Sequence, residues 1–203
     1  MKVSFYYHRY SNLIVQSDPD FKSDFNELMT VIESITEQKL IDAFNERKRQ
    51  RSNIKSLSEP INNLIKISLS KLKWQSESSL FKDPPYNKGN RSRWRLDFAK
   101  NKISIEVAFN HAEATAHNIM KPVLASELNH VKKDIQTKLG IIIVATERLK
   151  KIGNFDGAIG TFEKFQEYFK PYNNLITVPI ILIGLCAPET FKIDKKSKEI
   201  IYV

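Results

Sequence analysis

Cysteine is nearly absent: the 203 residues contain one, Cys186, so no internal disulfide can form. It sits in the apolar run VPIILIGLCA and reads as a buried, reduced thiol. The four histidines form no Cys/His cluster at structural-zinc spacing. No run approaches the roughly 18 apolar residues of a membrane span. The opening MKVSFYYHRY lacks the apolar centre of a signal peptide, so the expected address is cytoplasmic, with no membrane partner. Nothing repeats at a fixed period, and GNFDG at 153–157 lacks the following lysine and serine or threonine of a phosphate loop. Acidic residues are the scarcer charge, 23 against 32 Lys and Arg, which leaves a formal charge of +9. That excess favours a polyanionic partner without proving one. The length suits one sizeable core, hence a single domain over 1–203.

Residues 1–15 alternate in part, and SFYYHRY with NLIV predicts an opening strand or hairpin. Ser17-Asp18-Pro19-Asp20 then marks a helix start, followed by Phe21, Phe25, Leu28, Ile32, Ile35 and Leu40 at helical spacing as far as Ala43. The basic stretch 45–55, NERKRQRSNIK, carries Arg47, Lys48, Arg49 and Arg51. It is either a solvated helix end or an arm that contacts phosphate. Ser58-Glu59-Pro60 opens a second helix that ends near Trp74, with Glu59 placed to cap it. Residues 75–90 read as a polar loop containing Lys88.

The chain is organised around 91–110, RSRWRLDFAKNKISIEVAFN. Arg91, Arg93 and Arg95 would share one side of an extended strand, suited to phosphate. LDFA, a polar turn at 100–102 and the alternating ISIEVAF predict a strand hairpin. Glu106 and Ala108 then point to one face, Ile105 and Val107 to the other. A carboxylate among Ile, Val and Phe needs a partner. If the hairpin sets Asp97 beside Glu106, the two carboxylates and the Val107 carbonyl offer oxygens to a hard divalent cation. Beyond it, 112–139 reads as helix with a break near Pro122, an alanine-rich start and an apolar stripe at Leu124, Leu128, Val131 and Ile135 suited to core or interface. IIIVAT at 141–146 and VPIILIGLCAP at 178–188 predict interior strands, with a helix ending at Pro171 between them and an edge strand in the tail. Helices interspersed with apolar strands give an α/β layer architecture.

The pattern DFAKNKISIEVAF at 97–109 resembles the active-site hairpin of the type II restriction endonucleases related to BglII and BstYI, within the PD-(D/E)XK nuclease superfamily. That resemblance implies a central mixed sheet flanked by helices and a Mg2+ site made by Asp97, Glu106 and the Val107 carbonyl. The superfamily usually carries lysine, and the close relatives glutamine, two positions after the glutamate. Here that position is Ala108, which has neither charge nor donor. A second metal or a group from elsewhere would substitute for it, with His111, Glu113 and Lys100 as candidate groups, or activity is lost.

The expected function is Mg2+-dependent cleavage of double-stranded DNA at a short palindrome, with GATC suggested at its centre, leaving 5'-phosphate and 3'-hydroxyl ends. The resemblance also implies a homodimer and a cognate DNA methyltransferase in the same restriction-modification system, without a stable complex. Residues 45–55 and 75–95 would supply the DNA contacts: Arg47, Lys48, Arg49, Arg51, Lys88, Arg91, Arg93 and Arg95. Two other functions compete: an inactive DNA-binding or regulatory protein, motivated by Ala108, and a repair or RNA nuclease, because a metal-carboxylate centre does not choose the sugar.

Overall fold

The structure is a computed structural model that describes residues 1–83, 86, 94–127 and 131–203. In chain order its elements are β1 (Val3–His8), α1 (Ser11–Ser17), α2 (Pro19–Glu33), α3 (Glu37–Gln50), α4 (Ser58–Lys71), β2 (Gln75–Ser79), β3 (Arg95–Lys100) and β4 (Ile103–Val107). A 3-10 turn at Ala112–Ala114 then leads into α5 (Thr115–Ser126), β5 (Leu139–Ala145), α6 (Glu147–Ile152), α7 (Phe162–Phe169), β6 (Ile180–Leu185), β7 (Phe191–Ile193) and β8 (Ile200–Tyr202). Two apolar runs set the centre. LGIIIVA and IILIGL are buried along their whole lengths, as β5 and β6. Strands covered on both faces have no reason to alternate with polar residues, and each buried Ile or Leu contributes about 1.5–3 kcal/mol.

The principal sheet runs β1-β6-β5-β4-β3-β2. Its centre, β4, β5 and β6, is parallel, while β1, β2 and β3 pair antiparallel with their neighbours. Helices cover both faces. Ile103, Ile105, Ile141, Ile143, Ile181 and Ile183 join the core shared with α2, α3 and α4. Ala108, Ile142, Val144, Ile180 and Leu182 face the other way, onto Ile119 and Val123 of α5 and Phe162, Phe165 and Phe169 of α7. This is the central mixed sheet flanked by helices that the resemblance implies. β7 and β8 form a separate two-stranded sheet.

Several elements differ from the sequence expectation. NLIV belongs to α1 rather than to a second strand, because Arg9 and Tyr10 take left-handed conformations that turn the chain out of β1. The long first helix is two helices, broken at residues 34–36, where the Thr36 hydroxyl accepts the Lys39 N–H and caps α3. α3 continues to Gln50, so most of the basic stretch is helical. The polar loop after Trp74 begins instead with edge strand β2, and the tail forms the β7–β8 hairpin rather than an edge of the large sheet. Pro122 lies inside α5 without ending it, and the helix stops at Ser126. The predicted helical stripe therefore does not continue: Leu124, Val131 and Ile135 pack within the chain near Leu80, Phe81 and Leu96. Leu128 and His130 lie outside the described residues.

α5 lies close to the sheet because Gly140 of β5 has no side chain. A Cβ there would stand 2.4 Å from the Pro122 Cβ. The opposite side of the hairpin is anchored as well. Asn101, at a φ of 47° in the β3–β4 turn, donates to buried Asp24 at 2.8 Å. Lys100 bonds Glu27 at 2.5 Å and the Leu72 carbonyl at 3.2 Å.

Candidate active site

β3 and β4 pair through Phe98↔Ile105, Ala99↔Ser104 and Lys100↔Ile103. Continuing that register places Asp97 opposite Glu106, where side chains replace the backbone ladder. The Val107 N–H donates to Asp97 Oδ2 at 2.7 Å, and the Asp97 N–H donates to Glu106 Oε1 at 3.3 Å. Each acid is thus held by the backbone of the other's strand. The local cause is the alternation of ISIEV, which turns Ile103 and Ile105 into one core and leaves Glu106 on the α5 face.

Glu106 is 2% exposed and Asp97 is half-buried. Burial first, then the charge of Asp97, pushes the Glu106 carboxyl from 4.5 up to about 8, against the opposing pull of Lys121. Burial also raises Asp97, offset by the Val107 N–H and by Lys121, with Glu77 of β2 adding to the rise. Two acids this close and this dry resist carrying two negative charges together, and a hard cation relieves that resistance.

Lys121 of α5 completes the cluster. Its Nζ donates to Glu106 Oε2 at 2.6 Å, and its side chain is 14% exposed. Sequence reasoning did not identify this residue. A signal was present, since a lone lysine in the apolar stretch IMKPVLA of a sheet-packed helix needs a buried acid. His117, one turn earlier on the same helix, lies with its ring centroid 5.6 Å from that of Trp94. Burial, then the charge of Lys121, lowers its pKa.

The other expected residues have their own partners or stand exposed. His111 and Glu113 are exposed around the 3-10 turn, and among the described residues neither hydrogen-bonds to Asp97, Glu106 or Lys121. Lys100 pairs with Asp24 and Glu27 on the α2 side. Arg95 is engaged by Glu77, with Nε 3.0 Å from its carbonyl and Nη2 3.6 Å from its carboxylate. In the basic stretch, Arg47 and Arg51 lie 3.1 and 3.9 Å from Glu59, Arg49 lies 2.8 Å from Glu46, and Lys48 pairs with Glu199. Lys88, Arg91 and Arg93 lie outside the described residues.

The side-chain oxygens that this pair offers a metal are those of the Asp97 and Glu106 carboxylates, while the Val107 carbonyl accepts the Phe109 N–H at 3.3 Å. Among the described residues no group of three or more His, Cys, Asp or Glu side chains could hold an ion. Two carboxylates are the kind of donor that Mg2+ takes together with several waters and substrate phosphate.

A mixed sheet with helices on both faces, carrying two acids on adjacent strands, defines the restriction-endonuclease-like, PD-(D/E)XK class of nuclease fold. Within that class the chain belongs to the BglII/BglIII restriction endonuclease family, whose model matches residues 3–185. It is similar to the crystal structure of BglII complexed with a DNA 16-mer, with a TM-score of 0.65, 18% identity, and coverage of 98% of this chain and 87% of that one. Free BglII is similar with a TM-score of 0.55, 15% identity, and coverage of 100% and 90%. No curated protein matches the sequence. Among the described residues no helix is long and apolar enough to cross a membrane.

Proposed function

We propose that this protein is a Mg2+-dependent type II endonuclease that hydrolyses the phosphodiester backbone of double-stranded DNA, acts as a homodimer, and leaves 5'-phosphate and 3'-hydroxyl ends. The observation that carries this reading is the opposed Asp97–Glu106 pair, held by reciprocal backbone hydrogen bonds in a chain of a restriction endonuclease family. Asp97, Glu106 and the Val107 carbonyl would hold the ion. When bound, it would supply Lewis acidity toward a phosphoryl oxygen and lower the pKa of a coordinated water. The chain's own residues fix the two carboxylates before substrate arrives, so little reorganisation is left to the reaction. The basic surplus favours the polyanion, and twofold symmetry is the simplest way to cut both strands of a palindrome. A palindrome with a GATC centre and a partner methyltransferase acting on the same sequence extend the proposal.

Purified protein should convert supercoiled plasmid to linear DNA with Mg2+ and not with chelator, while Asp97→Ala binds DNA without cutting it. Ends selected from a randomised duplex pool would give the target sequence. Preferential cutting of RNA or branched DNA would move the function to another nuclease class, and cutting by Asp97→Ala at the wild-type rate would refute the site.

A further inference from the structure

Hydrolysis of a phosphodiester concentrates negative charge on the phosphoryl oxygens of the transition state. Two ionised carboxylates and one divalent cation are together close to neutral, so such a centre has little positive charge to spare. A positive side chain beside it would add to the stabilisation that the ion supplies. Position 108 does not supply one, since Ala108 is 2% exposed against Ile119, Val123 and Phe162. Lys121 reaches the acids from α5, with Nζ 2.6 Å from Glu106 Oε2. Its ammonium is mostly withdrawn from water, and a buried ion pair is commonly no more stabilising than apolar residues of the same volume. Stability alone therefore gives little reason to keep a lysine there, whereas charge at the reacting phosphate gives a good one.

Resting on the nuclease reading above, we propose that Lys121 is a catalytic residue, whose ammonium rests on Glu106 in the free protein and contacts the scissile phosphate in the substrate complex. In that hydrolysis a water oxygen bonds to phosphorus and its proton passes to solvent. The bond to the 3' oxygen breaks, and that oxygen leaves with the electron pair and takes a proton from solvent. Lys121 moves no proton and acts by its charge. The helix that carries it is fixed by the Pro122–Gly140 contact, so position 121 is set by packing rather than by a loop.

The test uses Lys121→Met, which keeps the length and removes the charge, Lys121→Arg, which keeps the charge, and Glu106→Ala as the reference. Each is measured for duplex cleavage in Mg2+, for Mn2+ affinity without DNA, and for thermal unfolding. Lys121→Met should fold, lose at least about a hundredfold in cleavage rate, and bind Mn2+ as tightly as wild type or more tightly, because a competing cation has gone. Lys121→Arg should cut faster than Lys121→Met. If Lys121→Met fails to fold, Lys121→Gln is read in its place by the same criteria. Wild-type cleavage by Lys121→Met while Glu106→Ala is dead would overturn the proposal and leave the nuclease reading standing. Loss of Mn2+ affinity in parallel with rate would also overturn it, by making Lys121 a positioning residue. A wild-type protein that cuts nothing, or a Glu106→Ala that cuts normally, would remove the nuclease reading and this proposal with it.

Discussion

Replacing Glu106 with glutamine in metal-free buffer gives the sharpest energetic prediction. The buried carboxyl is pushed from 4.5 up to about 8. Between those values the native state holds a proton that the unfolded chain has released, so stability falls as pH rises through that window. The contribution is fully present below about 4.5 and gone above about 8. A tenfold change in proton affinity is about 1.4 kcal/mol, so the rise amounts to a ceiling of about 5 kcal/mol. Glutamine keeps the shape and one acceptor oxygen, enough for the Asp97 N–H or for Lys121 but not for both, and it does not titrate. Asp97 remains in both proteins, so the difference between them reports Glu106 together with its coupling to Asp97. In chelator, wild type should lose stability relative to Glu106→Gln from pH 5 to pH 9. At about 2–4 °C per kcal/mol for a chain of this length, the melting temperatures should separate by up to about 10–20 °C. Thermal unfolding of both proteins across that range is the assay. Parallel curves, or a wild type that gains on the variant as pH rises, would refute the account of the buried acid pair.

Gly140→Ala should cost about 1–3 kcal/mol in a urea titration, because the new Cβ would stand 2.4 Å from Pro122, and it should slow cleavage by displacing the helix that carries Lys121. Ala108→Lys should destabilise by on the order of 3 kcal/mol and leave activity unchanged or lower, since a charge would enter the apolar contact with Ile119 and Phe162. A gain in cleavage would show that Lys121 does not supply the positive charge. His111→Ala should keep both the wild-type rate and the pH profile, and a shifted acid limb would bring His111 back into the mechanism.

The hairpin and the two central strands were legible because their signals are local. The alternation of ISIEV and the unbroken LGIIIVA each allow only one sensible burial pattern. The first helical region misled because NLIV, a four-residue apolar run, fits helix and strand equally, and because the Thr36 cap interrupts a periodicity that continues across it. β2 is polar, QSESS, and pairs along the sheet edge through backbone bonds that carry no composition signal. The acids could be read from spacing, as both lie on one hairpin. Lys121 could not, because 15 residues, a turn and a helix separate it from Glu106, and only the packing of α5 on the sheet brings them together. The basic stretch at 45–55 showed charge without its partners, Glu46, Glu59 and Glu199, the last of which is remote in sequence.

The most direct measurement is a crystal structure of the protein with duplex DNA and Ca2+, which supports binding while slowing hydrolysis. The account predicts an ion within about 2.3–2.6 Å of oxygens from Asp97, Glu106 and the Val107 carbonyl, with the Lys121 ammonium turned from Glu106 to a phosphate oxygen. An ion bound elsewhere, or DNA seated away from the Asp97–Glu106 pair, would contradict it.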